Sequence, residues 1–325
     1  MAYAYVFGPV MSGRLGRSLG LDLLGGRVCS MDCVYCEVGA TRDLTLERRE
    51  YVPARAILDE LAHWKAQGFE PPDAVTLGGL GEPTLNTAMA EVIKGARALF
   101  PSVPVAVLTN ATTMTDAQVR RELALADVVL PSMDSLVEAE FAAVNRPCPG
   151  VTPAAVAQGL LAFRQEFTGR IFLEILLAEG INDSDENLGR LKTFCQQLAP
   201  DRVDVVTLTR PGTVRGVRPV DGAILSRWRK ALGAGQARAG ERKEPTHATL
   251  DEARTREFVL ASLVRRPQTV SQLAQALGAP QHAVRAAVEA LERAGDIVAR
   301  ADRGEVCYHG SGHVLEDARG CGPTP

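Results

Sequence analysis

The segment Cys29-Ser-Met-Asp-Cys33-Val-Tyr-Cys36 carries three thiols within eight residues and directly follows a predicted strand at residues 18–24. Three thiolates on one tight loop are soft ligands that suit iron–sulfur chemistry. A cubane cluster has four irons, so three cysteines leave one iron open to a small molecule. Structural zinc usually takes four protein ligands, and no Cys or His pair stands beside Cys148, the nearest remaining cysteine. Zinc and incidental thiols are the alternative interpretations.

Outward from this loop, short β-branched runs alternate with stretches of helical period between residues 17 and 210, which is typical of βα units. Six rounds are too few for a closed eight-stranded barrel. We therefore predict an α/β fold, a partial (β/α)6 TIM-like barrel with its active site at the carboxyl ends of the strands. The predicted strands are 18–24, 73–79, 103–109, 127–132, 170–177 and 202–209. The predicted helices are 53–67, 86–99, 115–125, 135–143, 152–167 and 184–198, with possible caps at Asn86, Thr115, Thr152 and Asp183.

A glycine-rich turn, Gly78-Gly79-Leu80-Gly81-Glu82-Pro83, ends the second predicted strand. Glycine lets the backbone approach a ligand closely. Alone, such a turn is more often a simple strand-to-helix connection. Its position on the strand beside the cysteine loop indicates a binding role.

These motifs resemble the radical SAM (S-adenosylmethionine) superfamily, and more closely its wyosine-synthetase-like iron–sulfur oxidoreductases. The resemblance covers roughly residues 5–215. It rests on the CxxxCxxC spacing and on Phe7-Gly-Pro-Val, Leu15-Gly-Arg-Ser-Leu-Gly20, Cys33-Val-Tyr-Cys36-Glu and Gly81-Glu-Pro-Thr-Leu85.

The resemblance implies a [4Fe-4S] cluster on Cys29, Cys33 and Cys36, with SAM on the fourth iron. An electron from the reduced cluster, supplied by a donor such as flavodoxin or ferredoxin, would cleave SAM to a 5′-deoxyadenosyl radical that acts on an unidentified substrate. Tyr35 would lie near the adenine. The backbone of the turn would receive the SAM amino group, which assigns Gly79, Gly81, Glu82 and Pro83 to the cofactor site.

Later strand ends offer further polar candidates for SAM or substrate, although each has a structural alternative as a turn, a cap or a partly buried carboxylate. These candidates are Asn110, Ser132, Asp134 and Glu174. Asn145-Arg146-Pro147 and Arg210-Pro211 also resemble family positions, and their arginines suit a carboxylate or phosphate.

The chain departs from its relatives in two places. Met11 and Gly13 precede Arg14 where relatives carry Pro and a second Arg, which puts that substrate-side loop in doubt. No cysteine precedes Cys29, whereas wyosine synthases use upstream cysteines for a second cluster, so wyosine synthesis is not the favoured activity. The scattered cysteines do not favour an auxiliary cluster. They are Cys148, Cys195, Cys307 and Cys321.

The C-terminal part predicts a small winged-helix domain. Residues 1–232 form the predicted barrel, 233–250 a linker, 251–310 the winged helix and 311–325 a flexible tail. Helices are predicted at 252–265, 270–277 and 283–294, with a hairpin around Arg303-Gly304. Eight basic and eight acidic residues lie between 251 and 310, so nucleic acid binding through Arg285 and Arg293 is possible but not favoured over protein docking.

The composition bounds the function. The 325 residues are 46% hydrophobic and 23% charged, with a net charge of −3, so no global positive field attracts nucleic acid or membranes. No signal segment and no apolar run of eighteen residues is visible, which predicts a cytoplasmic protein. Two alternatives stay open: an iron–sulfur regulator that senses iron, redox state or SAM and binds nucleic acid through the winged helix, and a tRNA-modifying radical SAM enzyme.

Overall fold

The computed structural model describes residues 3–210, 212–234, 251–302 and 305–311. Its main feature is one seven-stranded sheet in the order β1-β2-β5-β6-β7-β8-β9, with a separate two-stranded sheet made by β3 and β4. The strands are β1 (Val6–Ser12), β2 (Gly16–Leu21), β3 (Val28–Cys29), β4 (Asp43–Leu44), β5 (Ala74–Leu77), β6 (Val105–Thr109), β7 (Val128–Pro131), β8 (Arg170–Leu177) and β9 (Arg202–Thr207).

The sheet is an open, partial barrel, as predicted. From β2 to β9 every neighbouring pair is parallel, whereas β1 pairs with β2 antiparallel. All six predicted strands are present. The first of them is shorter than expected, because the chain leaves the sheet after Leu21.

Strand β1 was not predicted, because Gly8 and Pro9 interrupt its pattern. The register of β1 against β2 shifts between Phe7 and Val10, and Pro9 lies in this irregularity. An edge strand tolerates proline there, since its missing N–H removes no bond to a second neighbour. The N-terminal segment is therefore part of the barrel.

Ten helices are described. They are α1 (Ala54–Ala66), α2 (Met89–Leu99), α3 (Ala117–Leu123), α4 (Glu138–Asn145), α5 (Pro153–Glu166), α6 (Asp185–Leu198), α7 (Gly222–Ala231), α8 (Glu252–Leu263), α9 (Val270–Leu277) and α10 (Gln281–Ala294). Helix α7 was not predicted. Short 3-10 turns at Pro83–Leu85 and Thr112–Thr115 follow β5 and β6.

The predicted helix starts were right at one position and displaced at the others. Thr152 caps α5 by accepting a hydrogen bond from the Ala155 amide. Asp116 and Ser184 cap α3 and α6 in place of their predicted neighbours, one residue further along the chain. Asn86 lies two residues before Ala88, the residue at the cap position of α2. The Asn86 side-chain oxygen accepts a hydrogen bond from the Ala88 amide.

The apolar faces of the helices cover the outside of the sheet. Ile57, Leu61 and Trp64 lie at helical spacing on α1 and are at most 1% exposed. Strand β5 is buried along its whole length, which explains its continuous apolar sequence. This packing leaves the polar strand ends and the cysteine loop together at one end of the sheet.

The C-terminal region contains the predicted three helices and a two-stranded antiparallel sheet, β10 (Ile297–Asp302) with β11 (Glu305–Gly310). Helices α8 and α9 pack against β1, where Ala261 joins Phe7 and Val10 in an apolar cluster. The winged-helix assignment stays a prediction. The hairpin turn Arg303-Gly304, residues 235–250 of the predicted linker and residues 312–325 of the tail lie outside the described residues.

No helix within the described ranges is both long and apolar enough to cross a membrane.

Candidate active site

The three cysteines of the motif lie on one loop at the carboxyl end of β2. Cys29 ends β3, and its carbonyl accepts a hydrogen bond from Thr45, next to β4, at 2.9 Å. The Cys36 amide donates to the Cys33 carbonyl at 3.0 Å, which tightens the turn between these two cysteines. All three thiols are reduced and partly exposed.

The loop is fastened to the segment around the end of α4. The Val34 amide donates to the Val144 carbonyl at 3.0 Å, and the Asp32 amide reaches the carbonyls of Asn145 and Arg146 at 3.1 Å. The Cys148 amide donates to the Ser30 carbonyl at 2.9 Å. These backbone bonds hold the loop in place independently of any side-chain chemistry.

Two asparagine amides point at the sulfur atoms. Asn110 Nδ2 lies 3.5 Å from Cys29 Sγ, and Asn145 Nδ2 lies 3.4 Å from Cys33 Sγ. Both side chains can donate a hydrogen bond to a thiolate. Asn110 was predicted as a site residue, and Asn145 stood only among the family resemblances. The structure brings both next to the cysteine loop.

Burial raises the pKa of all three thiols. The pKa of Cys36 rises to about 11. For Cys29 and Cys33, the negative charges of Glu82 and Cys36, respectively, raise the pKa further. The thiols are therefore protonated at neutral pH unless a metal displaces their protons, as a coordinated metal does.

The three thiols can serve a cluster without meeting at one point. Across the described part of the chain, no three His, Cys, Asp or Glu side chains converge closely enough to hold one ion. In an iron–sulfur cubane each thiolate binds a different iron, so the three sulfurs need not converge on one point. The donor set, three partly exposed thiols on one loop with amide donors beside two of them, suits such a group.

The glycine-rich turn packs directly on the cysteine loop. The Glu82 amide donates to the Val28 carbonyl at 3.1 Å, one residue before Cys29. A Cβ atom added to Gly81 would lie 1.7 Å from the same carbonyl oxygen. Gly79 has a φ of +132°, a conformation that favours glycine. Only glycine at position 81 permits this approach.

Glu82 is an internal anchor whose side chain is 2% exposed. Its carboxylate accepts hydrogen bonds from the Thr84 and Thr109 hydroxyls, both at 2.7 Å, and from the Asn110 amide at 2.7 Å. Burial raises the pKa of Glu82, and these hydrogen bonds oppose the rise. The side chain ties the turn to the end of β6, which leaves the backbone of the turn as the part able to meet a ligand.

Tyr35, Asp134 and Asn145 form a buried network behind the cysteine loop. Asp134 is 1% exposed and accepts hydrogen bonds from the Tyr35 hydroxyl at 2.5 Å, from Asn145 Nδ2 at 2.7 Å and from the Leu176 amide at 2.9 Å. Burial raises the pKa of Asp134 to about 6, against these hydrogen bonds. The structure thus gives Asp134 a role in orienting Tyr35, between two cysteine ligands of the predicted site.

Ser132 and Glu174 lie side by side on neighbouring strand ends, where they form an isolated bridge. The Ser132 amide donates to the Thr109 carbonyl at 3.0 Å, and the Glu174 carboxylate pairs with Arg14 at 2.6 Å. Pro83 begins the 3-10 turn after Glu82 and is buried. A direct contact of these three residues with SAM stays a prediction.

Two further arginines, Arg265 and Arg266, lie near this end of the barrel and follow α8. Arg265 pairs with buried Asp22 at 3.2 Å, and Arg266 lies 3.6 Å from Glu37, the residue after Cys36. No local pattern indicates these contacts, because their partners are more than 200 residues away.

The other cysteines are dispersed. Cys148 and Cys307 are buried, and burial raises the pKa of Cys195, on α6, to about 12. Cys321 lies outside the described residues.

Comparison with known proteins identifies the family of the chain. Residues 23–191 match the radical SAM superfamily, which is slightly more than half of the chain. The chain therefore belongs to the radical SAM superfamily and is an enzyme of that class. More particularly, it is 36% identical over 250 residues to a UPF0026 protein of Synechocystis sp., covering 70% of this chain and 91% of the relative. This match confirms the predicted likeness to the wyosine-synthetase-like group.

A second relative extends over more of the chain. A protein of Brachyspira hyodysenteriae named GTPase Obg is 28% identical over 305 residues, which is 93% of this chain and 45% of that protein. Among solved structures, a radical SAM methyltransferase from Sphaerobacter thermophilus is 16% identical, with a TM-score of 0.48, over 66% of this chain and 63% of that one. The chain thus spans less than two thirds of either protein.

Proposed function

We propose that this enzyme holds a [4Fe-4S] cluster on Cys29, Cys33 and Cys36, binds SAM at the fourth iron, and cleaves SAM reductively to act on a substrate not yet identified. The observation that carries the proposal is the contact of the glycine-rich turn with β3. The Glu82 amide bonds to the Val28 carbonyl and Gly81 packs against it, so the two family motifs meet in one site.

When bound, the cluster would supply the electron that splits the SAM sulfonium into methionine and a 5′-deoxyadenosyl radical, which then removes a hydrogen atom from the substrate. The protein's own part is to hold the ligands. The asparagine amides beside Cys29 and Cys33 would donate hydrogen bonds to the thiolates, which favours the charged form that iron needs.

The turn after β5 would receive the amino group of SAM. Glu82 holds this turn through its carboxylate, so backbone carbonyls between Gly79 and Glu82 are left to accept the ammonium protons. Tyr35 would pack near the adenine, with its hydroxyl fixed by Asp134 at 2.5 Å. Asn110, Ser132 and Glu174 would complete the wall toward SAM or substrate.

The reaction also needs a reductant, and we propose a small electron carrier such as flavodoxin or ferredoxin. The segment bonded to the Cys29 carbonyl exposes two apolar side chains, Leu44 at 44% and Leu46 at 42%. Exposed apolar side chains of this size are common at protein contacts. We therefore propose that the carrier covers this segment.

The experiment is an anaerobic assay of SAM cleavage. The protein is reconstituted with iron and sulfide, reduced with dithionite and mixed with SAM, and 5′-deoxyadenosine is followed by chromatography. Cys33→Ala should abolish the product, whereas Cys195→Ala, which removes a thiol on α6, should not. If a substrate is required for turnover, the wild-type cluster should still change its EPR signal when SAM is added. A reduced cluster that forms no 5′-deoxyadenosine and keeps the same EPR signal when SAM is added would overturn the proposal.

A further inference from the structure

The open side of the barrel is bridged by one carboxylate. β1 and β9 are the two edges of the sheet, and no described strand pairs them. Glu37, directly after Cys36, accepts hydrogen bonds from Arg210 Nη1 at 3.2 and 3.4 Å, just beyond β9. Arg266, from the C-terminal region that packs on β1, has its Nε 3.6 Å from the same carboxylate. Two arginines from opposite edges thus meet beside the cysteine loop.

Positive charge is in excess at this place. Arg14, on the turn between β1 and β2, adds a third guanidinium and pairs with Glu174 at 2.6 Å. Burial lowers the pKa of Arg266, and the charges of Arg210 and Arg14 lower it further, against the opposing effect of Glu37. Three guanidinium groups thus share two carboxylates here, since Arg210 and Arg266 pair with Glu37 and Arg14 pairs with Glu174.

The two arginines around Glu37 also keep unused donors. The Nε atom of Arg210 is buried and has no hydrogen-bond partner in the described ranges, and the buried Nε of Arg266, 3.6 Å from Glu37, is too distant from that carboxylate for a hydrogen bond. Their side chains are only 16% and 22% exposed. Buried donors in proteins nearly always have acceptors, so this pair is suited to an acceptor that comes with a ligand.

We propose that Arg210 and Arg266 bind an oxyanion group of the substrate, a phosphate or a carboxylate, at the open side of the barrel, with Arg14 adding to the positive potential. That the ligand is the substrate rests on the function proposed above. Guanidinium groups present paired N–H donors that match the oxygens of either group. The C-terminal region thereby contributes a residue to substrate binding, and the site is incomplete without it.

The test measures anion binding by calorimetry on the cluster-loaded protein in a phosphate-free buffer, with inorganic phosphate and succinate as probes. At least one probe should bind to the wild type. The probe that binds more tightly shows whether the site prefers a phosphate or a carboxylate. Arg266→Gln and Arg210→Gln should each weaken its binding about tenfold, since each loses hydrogen bonds to a charged group. Arg256→Gln, an exposed arginine on α8, is the matched control and should bind like the wild type.

A second variant moves binding in the opposite direction. Glu37→Gln removes the carboxylate that competes for both guanidinium groups, so the same probe should bind several-fold tighter. A variant that is merely misfolded does not gain affinity. Iron content and melting temperature are measured for every variant, so that loss of the cluster or of the C-terminal packing is recognised.

Three results would overturn the inference. In the first, neither probe binds to the wild type. In the second, Arg266→Gln and Arg256→Gln lose the same amount of affinity for the probe. In the third, the probe displaces SAM, which would assign the arginines to the SAM carboxylate. The proposed function fails separately, through the absence of SAM cleavage and of any SAM-induced EPR change. Probe binding that depends on Arg266 in a protein inert toward SAM would keep the anion site and remove only its assignment to a radical substrate.

Discussion

The cysteine loop and the C-terminal helices both contact the first strands of the barrel, but different interactions hold them. The cysteine loop is held by the backbone: Val34 bonds to Val144, and Glu82 bonds to Val28. The C-terminal helices are held by side chains, above all by the buried pair of Arg265 with Asp22.

This difference matters for function. Backbone hydrogen bonds and glycine contacts tolerate no change in local geometry, which suits a loop that must hold metal ligands in place. Side-chain ion pairs depend on two distant residues and respond to charge. The cluster motif can therefore be read from contiguous residues, whereas the link from the C-terminal region to the active site cannot.

The largest effect is expected from breaking the side-chain link. Arg265 is 6% exposed, donates to the Ala4 carbonyl at 2.6 Å and lies over the Phe7 ring at 4.6 Å. Arg265→Met leaves Asp22 as an unpaired buried carboxylate, so it should lower the free energy of unfolding by about 3–5 kcal/mol. Urea unfolding measures the loss, and Arg256→Met serves as the exposed control.

The same variant should also make stability depend on pH. Burial raises the pKa of Asp22, and Arg265 opposes that rise, so without the arginine the pKa rises further. A group whose pKa is higher in the folded state stabilises the fold while protonated and loses that contribution as pH rises through the folded pKa. Arg265→Met should therefore be destabilised less in mild acid than at neutral pH. A loss that is the same at both pH values would contradict the buried ion pair.

A smaller effect on stability, with a sharper effect on the cluster, is expected from the backbone-held region. Gly81→Ala places a methyl group against the Val28 carbonyl, and neither backbone can yield without moving Cys29. Overpacking of this kind costs about 1–3 kcal/mol, and iron content after reconstitution should fall together with 5′-deoxyadenosine formation. Gly26→Ala, which meets no atom within 4 Å, should retain the cluster. Normal iron content in Gly81→Ala would refute the close contact.

The smallest effect is expected on the outer face of the C-terminal region. Arg285 and Arg293 are exposed on α10, and Glu289 and Glu292 share the exposed surface of this helix. Replacing both arginines by glutamine should change the free energy of unfolding by less than about 0.5 kcal/mol and leave SAM cleavage unchanged. Measurable tRNA retention at moderate salt that disappears in this double variant would instead favour the alternative of nucleic acid binding.

Particular elements show where sequence reasoning succeeded. Strands 170–177 and 73–79 were predicted to within two residues of their ends, because alternating burial in the first and complete burial in the second leave a hydrophobic pattern in the sequence. Asn110 and Asp134 were selected only as residues at strand ends, and both lie in the candidate site. Strand β1 was missed since a glycine and a proline mask its pattern, and α7 was not recognised at all.

The sequence by itself determined the class of enzyme, since the three cysteines and the glycine-rich turn are contiguous motifs whose spacing carries the chemistry. It also determined the alternating strands and helices, because burial imposes a local period on the chain. Only the tertiary structure decided that Glu82 and Asp134 act as buried anchors and that Arg265 and Arg266 reach the active-site end. These roles depend on which residues meet across long stretches of chain, and no local pattern records such a meeting.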